Sequence, residues 1–317
     1  MKITRCCAAL LLALLAQAHA QGSYPTKPIR IMTASPGTSM DISSRVIAAR
    51  MSERLGQSVI VEARPGGGSA VAATVVAAAP PDGYTLLLFS DQITINPSVI
   101  KNLSYDPVKD FTAIGRVGYL LIGIAVNSAF PAKNINDLIA MAKAKPGDIR
   151  YGTPGVATPH HLAMEYFSKS KGIVLTHIPF AQSPAVINET VAGRIEIGSG
   201  GMGALTPQAQ AGKLRILAVI AKERSPLWPD IPALGEYGVD LNGPWFGFMG
   251  PGGLPRDMVE RLNRDLNATL AMPDVKEQLN KLGTGVVPST PAEFAQQIKD
   301  DTERWHKVIA TAGIKAS

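Results

Sequence analysis

The stretch Thr85-Leu86-Leu87-Leu88-Phe89-Ser90-Asp91-Gln92-Ile93-Thr94 sets an uninterrupted apolar run directly against hydroxyl, carboxyl and amide side chains. A run this short, ending in turn formers, reads as a buried strand, and the polar group after it as a strand-to-helix junction. The same alternation recurs along the chain, with short β-branched runs at 29–33, 59–62, 122–126, 195–197 and 215–219 and helical patterns between them. It predicts an α/β fold of parallel sheets with helical crossovers. Ile42, Val46 and Ala49 share one helical face, and Val259, Leu262, Leu266 and Leu270 share another. Asn134 reads as an N-cap whose helix stops at Pro146-Gly147. Thr290-Pro291-Ala292-Glu293 carries a capping box, a proline suited to the first turn, and a helix end at Gly313.

Before the first strand, Lys2 and Arg5 precede an apolar stretch from Cys6 to Ala16 and an Ala18-His19-Ala20 site, the pattern of a cleavable secretory signal. The stretch is shorter than the roughly 18 residues that span a bilayer. Removing the first 20 of 317 residues leaves 297, starting at Gln21, which suits two lobes. Both cysteines, Cys6 and Cys7, leave with the signal, so no thiol chemistry remains. The net charge of +6 falls to +4 once Lys2 and Arg5 are gone, and the remaining charges alternate in sign, which argues against a nucleic-acid partner.

Three junctions are rich in Gly, Ser and Thr: Ser35-Pro36-Gly37-Thr38-Ser39-Met40-Asp41, Ser90-Asp91-Gln92-Ile93-Thr94, and Thr153-Pro154-Gly155-Val156-Ala157-Thr158-Pro159-His160-His161. Each would present free N–H groups and hydroxyls beyond a strand end, a chemistry that suits an anion. One such junction is an ordinary turn and helix cap; three agreeing point to a binding site. Gly198-Ser199-Gly200-Gly201-Met202-Gly203 matches G-x-G-x-x-G, but it lies mid-chain and is followed by Thr206-Pro207, so it reads as a flexible turn and not a dinucleotide site. The histidines past residue 20, His160, His161, His177 and His306, stand in no metal-ligand spacing, and the pair 160–161 reads as a helix start. G-x-S-x-G is absent, which removes the common nucleophile arrangement. Trp245-Phe246 suits equally a cleft wall or a strand entering a core.

Further marks carry a resemblance. They are Tyr24-Pro25-Thr26-Lys27-Pro28-Ile29-Arg30, Arg64-Pro65-Gly66, Pro81-Asp82-Gly83-Tyr84-Thr85-Leu86, Ile95-Asn96-Pro97 and Tyr105-Asp106-Pro107-Val108-Lys109-Asp110-Phe111. Later come Ala211-Gly212-Lys213-Leu214-Arg215, Trp245-Phe246-Gly247 and Ala312-Gly313-Ile314. In this order the chain resembles, over essentially all of its mature length, the Bug-type periplasmic receptors of tripartite tricarboxylate transporters. The resemblance implies a type II periplasmic binding protein fold, a Venus flytrap of two doubly wound α/β lobes joined by two crossover segments. Lobe 1 would hold residues 21–124 and 245–317 and lobe 2 residues 125–244, with crossings near Ile122–Val126 and Gly243–Met249. It implies a monomeric periplasmic receptor, not an enzyme and without a cofactor. Such a receptor holds a small carboxylate through N–H groups, hydroxyls and water, and hands it to membrane transporter subunits. Matched onto this sequence, the ligand contacts fall on Pro36, Gly37, Thr38, Ser39 and Asp41, and on Ser90, Asp91 and Gln92. In lobe 2 they fall on Thr153, Gly155, Thr158 and His161, and on Phe180, Ala181, Gln182 and Ser183.

The chain also departs from the family's pattern. Ala34-Ser35 replaces a common aromatic residue in a first loop one residue short, and Ala181 and Gln182 stand where Lys or Arg and then Gly are frequent. Gly200 occupies a position where many members place an aspartate, so the expected ligand lacks an amino group: a di- or tricarboxylate, including aromatic dicarboxylates such as terephthalate. A sensor module docking on a signalling kinase, or a secreted α/β hydrolase using His161, are the rival readings.

Overall fold

Eleven strands in two sheets make the frame of the computed structural model, which describes residues 24–34, 36–66, 70–241 and 243–314. The expected signal segment, Cys6, Cys7, Gln21 and Ser35 lie outside the described residues. The six-stranded sheet runs β11-β4-β10-β3-β1-β2 and the five-stranded sheet β7-β6-β8-β5-β9. In the first, β1 (Ile29–Thr33) pairs in parallel with β2 (Val59–Ala63) and β3 (Thr85–Ser90). β10 (Trp245–Pro251) lies antiparallel between β3 and β4 (Phe111–Leu120), and β11 (Thr284–Val286) closes the edge. In the second, β6 (Arg150–Thr153) is parallel to β7 (Thr176–Pro179) and β8 (Ile197–Gly201), while β5 (Ile122–Asn127) runs against β8 and β9 (Leu214–Val219).

Both sheets are therefore mixed, where the strand-helix alternation had predicted parallel ones. The chain leaves the first sheet at the end of β4, turns at Leu121 and enters the second as β5, then returns through Gly243-Pro244 into β10. Leu120 N–H donates to the Pro244 carbonyl at 2.7 Å, so the two crossings run side by side. A Cβ on Gly243 would sit 2.9 Å from the Leu120 and Ile220 carbonyl oxygens; this close approach admits only glycine.

Helices cover the sheets. α1 (Ser39–Leu55), α8 (Arg256–Leu270) and α9 (Pro273–Lys281) pack one face of the first sheet, and α2 (Ala70–Ala77) packs the other. α4 (Ile135–Ala144) and α5 (Pro159–Lys171) cover one face of the second sheet, and α6 (Ser183–Val191) and α7 (Met202–Gln210) the other. The caps at Asn134 and Thr290 form as the sequence indicates, and Gly313 ends the last helix at φ 69°. Val259, Leu262, Leu266 and Leu270 are all buried, as their spacing predicts. The stripe of α1 is different: Ile42 is 43% exposed, and the core face is Ile47, Ala48, Met51 and Leu55 beside buried Ser43 and Ser44. Ile47, Met51 and Leu55, at i, i+4 and i+8, form the apolar stripe that faces the sheet and turn Ile42 outward.

The other departure is at 198–201. This glycine-rich run is strand β8 in the middle of the sheet and not a turn, and the strand begins at Ile197 and not Ile195. A Cβ on Gly198 would meet Thr190 Oγ1 at 2.3 Å, so glycine is there to let α6 close on the strand.

Two helices break the division between sheets. α3 (Gln92–Val99) follows β3, yet its Ile95 and Val99 belong to the second sheet's core. α10 (Pro291–Ala312) buries Phe294 and Ile298 in the first sheet's core and Trp305 and Ile309 in the second's. At 22 residues it is about 33 Å long, enough to lie across both. No helix among the described residues is long and apolar enough to cross a membrane. Truncating Trp305 to Ala, at the far end of the chain, is expected to destabilise the second sheet's core by about 3–5 kcal/mol, read as a lower urea midpoint.

Candidate functional site

Five strand ends, β1, β3, β6, β7 and β8, aim at the space between the sheets, and the helix that follows each begins there. Two joined cavities fill this space. The inner chamber, about 330 Å³, is bounded at the crossings by Leu120, Leu121, Ile122 and Pro244, and at its sides by Ala34, Met40, Phe89, Leu282 and Gly283. Its polar groups are Thr38, Ser39, Ser90, Thr158, His160 and Ser183. The outer vestibule, about 900 Å³, adds Pro36, Gly37, Ala181, Gln182, Asn188 and Gln208. Thr38, Ser39, Pro154, Ser183 and Ala204 belong to both and form the waist between them.

The waist is built from helix starts. Thr38 caps α1 by accepting from Asp41 N, and Thr158 caps α5 by accepting from His161 N. α6 and α7 begin after Gln182 and Gly201 without any side-chain cap. Four N-termini thus bring partial positive charge and N–H groups to one place, the arrangement that binds anions. Among the described residues, neither cavity is lined by Lys, Arg, Asp or Glu. Anion attraction there rests on dipoles and hydroxyls.

Of the sequence-derived contacts, Pro36, Gly37, Thr38, Ser39, Ser90, Thr158, Ala181, Gln182 and Ser183 line this space. Others stand behind the wall. Asp41 is 4% exposed and accepts from Gly37 N at 3.0 Å and from the Arg45 guanidinium at 3.2 Å. Burial alone would raise its pKa, but the Gly37 N–H and Arg45 hold it below the usual range. It fixes the first loop. Gln92 donates to Asn96 Oδ1 at 2.8 Å and to the Ala157 carbonyl at 3.4 Å, a bond from the first sheet's side to the second's. Phe180 N donates to the Thr153 carbonyl at 2.9 Å and extends the β6–β7 pairing.

Thr153, Gly155 and His161 act together beneath the 153–158 turn. Thr153 Oγ1 donates to the Gly155 carbonyl at 3.0 Å and so accepts from His177 Nε2 at 2.7 Å. His161 Nδ1 accepts from Ala157 N at 3.0 Å. Ala157 sits at φ 57°, a left-handed conformation unfavourable for a residue with a Cβ, and this bond holds it there. The rings of His161 and His177 stack at 3.9 Å, Tyr151 stacks on His177 at 4.9 Å, and Tyr151 donates to Glu165. His161 is thus a support of the turn. The histidine on the chamber wall is its neighbour His160, bonded through Nδ1 to buried Ser199 Oγ at 3.1 Å.

Two expected contacts point elsewhere. Asp91, 2% exposed, lines a separate rear pocket of about 400 Å³ with Trp245 and Asp301. Its Oδ1 has no hydrogen-bond partner among the described residues, and burial, with the Asp301 charge adding, pushes its pKa well above the carboxylate range. Trp245 belongs to the same core: its Nε1 donates to Asp301 Oδ2 at 2.6 Å, and its ring meets Phe294 edge-on. Gly200 faces away from the chamber, and a Cβ there would touch Leu205 at 3.2 Å; its neighbour Gly201 lines the chamber, with nothing within 4 Å of a Cβ. The absence of an acid for a ligand ammonium therefore rests on the whole lining and not on Gly200. Gly201, Ala204 and the crossing residues 120–122 are wall positions outside the sequence-derived contacts, and His160, which belongs to the third junction, lines the wall in place of His161. The β8-to-α7 junction had the same strand, glycines and helix order as the three junctions that reading picked out.

The profile described as "Tripartite tricarboxylate transporter family receptor" matches residues 43–314. A UPF0065 protein of Bordetella bronchiseptica is 33% identical over 311 residues, 97% of this chain and 92% of the relative. The R. palustris protein Rpa4515, solved with adipate, superposes with a TM-score of 0.81 at 29% identity, covering 93% of this chain and 100% of that one. MatC of Rhodopseudomonas palustris, solved with malate, gives 0.75 at 25% identity over 90% and 100%.

His161 and His177 are both pushed down to about 4, by burial first. Their imidazole NMR signals should stay in the neutral position from pH 8 to about 5. Unfolded histidines take up protons from about pH 6.5, so these two groups lower stability as pH falls from there to 4, by at most about 1.4 kcal/mol per pH unit each. Asp91 acts in the opposite sense. It favours the fold while protonated and weakens it as pH rises above the unfolded carboxylate range, so Asp91→Asn should melt higher than the parent at pH 7.5, with the gap closing toward pH 4.

Proposed function

Because the chain belongs to the tripartite tricarboxylate transporter receptor family, we propose that it captures a small carboxylate between its two sheets and delivers it to the membrane subunits of such a transporter. It is a solute-binding receptor of the periplasmic type and not an enzyme. The observation that carries the ligand class is the convergence of four helix N-termini on a waist of hydroxyls, with no charged side chain among the described lining residues. Such a site holds an anion by fixed dipoles and offers no counter-charge to an ammonium. That two structural neighbours were solved with adipate and malate supports a carboxylate.

In this reading the receptor works as a monomer with lobes at 21–124 plus 245–317 and at 125–244. The ligand lands on Thr38 and Ser39 of one lobe, and the other rotates about the paired crossings to add Thr158, Ala181, Gln182 and Ser183. Closure draws its free energy from contacts that exist only in the shut form. Ligand binds the native state alone, so a hundredfold excess over Kd should add about 2.7 kcal/mol of stability. A thermal-shift panel of mono-, di- and tricarboxylates with aspartate and glutamate tests this. Upward shifts with plain carboxylates and weaker ones with the amino acids are expected. No shift across the panel would overturn the carboxylate assignment, and tightest binding of an amino acid would overturn the exclusion of an ammonium. For delivery, deleting the membrane subunits should abolish uptake of the acid that binds.

A further inference from the structure

The inner chamber is unlike the waist above it. Phe89, Leu120, Leu121, Ile122, Pro244 and Leu282 give it walls without side-chain donors or acceptors, and its side-chain polar groups beyond the waist are Ser90, Thr158 and His160. A carboxylate seated at the waist would project the rest of its molecule onto these walls. A hydroxyl or a third carboxylate in the middle of the ligand would lose its water there without a partner, whereas a hydrocarbon segment gains by burial. Ser90 ends β3, while Thr158 and His160 stand at the start of α5; the Thr158 hydroxyl is spent on the Gly155 carbonyl at 2.9 Å, and His160 is oriented by the Ser199 bond, so a second acid group is met by His160.

We infer that the receptor selects a dicarboxylate whose acid groups are separated by an unsubstituted hydrocarbon body, the inner acid being read by His160. This deepens the carboxylate reading and depends on it. Burial pushes the pKa of His160 down to about 4, so it meets the ligand as a neutral imidazole able to donate one hydrogen bond. Gly201 also faces the chamber, with open space where a Cβ would be and φ −62°, a backbone any residue adopts.

Calorimetric titration of the ligand-stripped protein with adipate, hexanoate, malate and citrate separates the claims. Adipate is expected to bind roughly tenfold to a hundredfold more tightly than malate or citrate, the range that one misplaced polar group costs in an apolar pocket. It should also bind more tightly than hexanoate, which lacks the second acid. His160→Ala should weaken adipate and leave hexanoate unchanged, a split that loss of structure would not give. Gly201→Leu should fill the chamber and weaken adipate at least about tenfold without lowering the ligand-free melting temperature; Gly201→Ala is the milder version. Malate or citrate matching adipate overturns the inference while leaving the receptor a carboxylate binder, and so does hexanoate matching adipate. If none of the four acids binds, the inference is overturned, and the broader thermal-shift panel decides whether the carboxylate reading falls with it.

Discussion

A helix cannot satisfy its own first N–H groups, and this protein gathers that deficit in one place. Strands β1, β6, β7 and β8 end at the space between the sheets, and α1, α5, α6 and α7 begin there, two of them with no side-chain cap. Those groups need water or an anion. The double crossing at Leu121 and Gly243-Pro244 makes this possible by turning two separate sheets until their strand ends face each other.

Charged residues are present near the site but are withdrawn from its surface. Asp41 takes the Gly37 N–H and Arg45 and so shapes a loop, and Asp91 turns toward Asp301 behind the wall. His161 stacks beneath a turn and holds Ala157 in its left-handed conformation. The result is a wall whose described lining holds no Lys, Arg, Asp or Glu and whose electrostatics come mainly from backbone orientation, with His160 neutral above about pH 4.

Much of this was legible in the sequence, because short apolar runs ending in Gly, Ser and Thr are a local signal. The first loop, Ser90 and Thr158 follow from that signal, whereas 181–183 follow only from the family resemblance. The misses concern direction, which composition does not carry. Along β8 successive side chains face opposite sides, so whether residue 200 or 201 meets the ligand depends on a register set by pairing with β5. Asp91 and Ser90 are neighbours that point to different pockets because β3 ends at Ser90 and Asp91 already has helical backbone angles, φ −55° and ψ −10°. Gly198 to Gly201 looked like a turn because nothing local announces that α6 must approach the strand within the radius of a methyl group. On α1 a second apolar stripe, Ile47, Met51 and Leu55, competes with Ile42 and Val46, and spacing alone does not say which one faces the sheet.

α10 spans both cores, and this bears on how the chain is made. Trp305 and Ile309 complete the hydrophobic interior around β5, β6 and β8, although more than a hundred residues separate them from Ile197. While the carboxyl end is still in the ribosome, that interior lacks a side and the middle of the chain has little reason to settle. Such an order of events leaves the polypeptide pliable until synthesis ends.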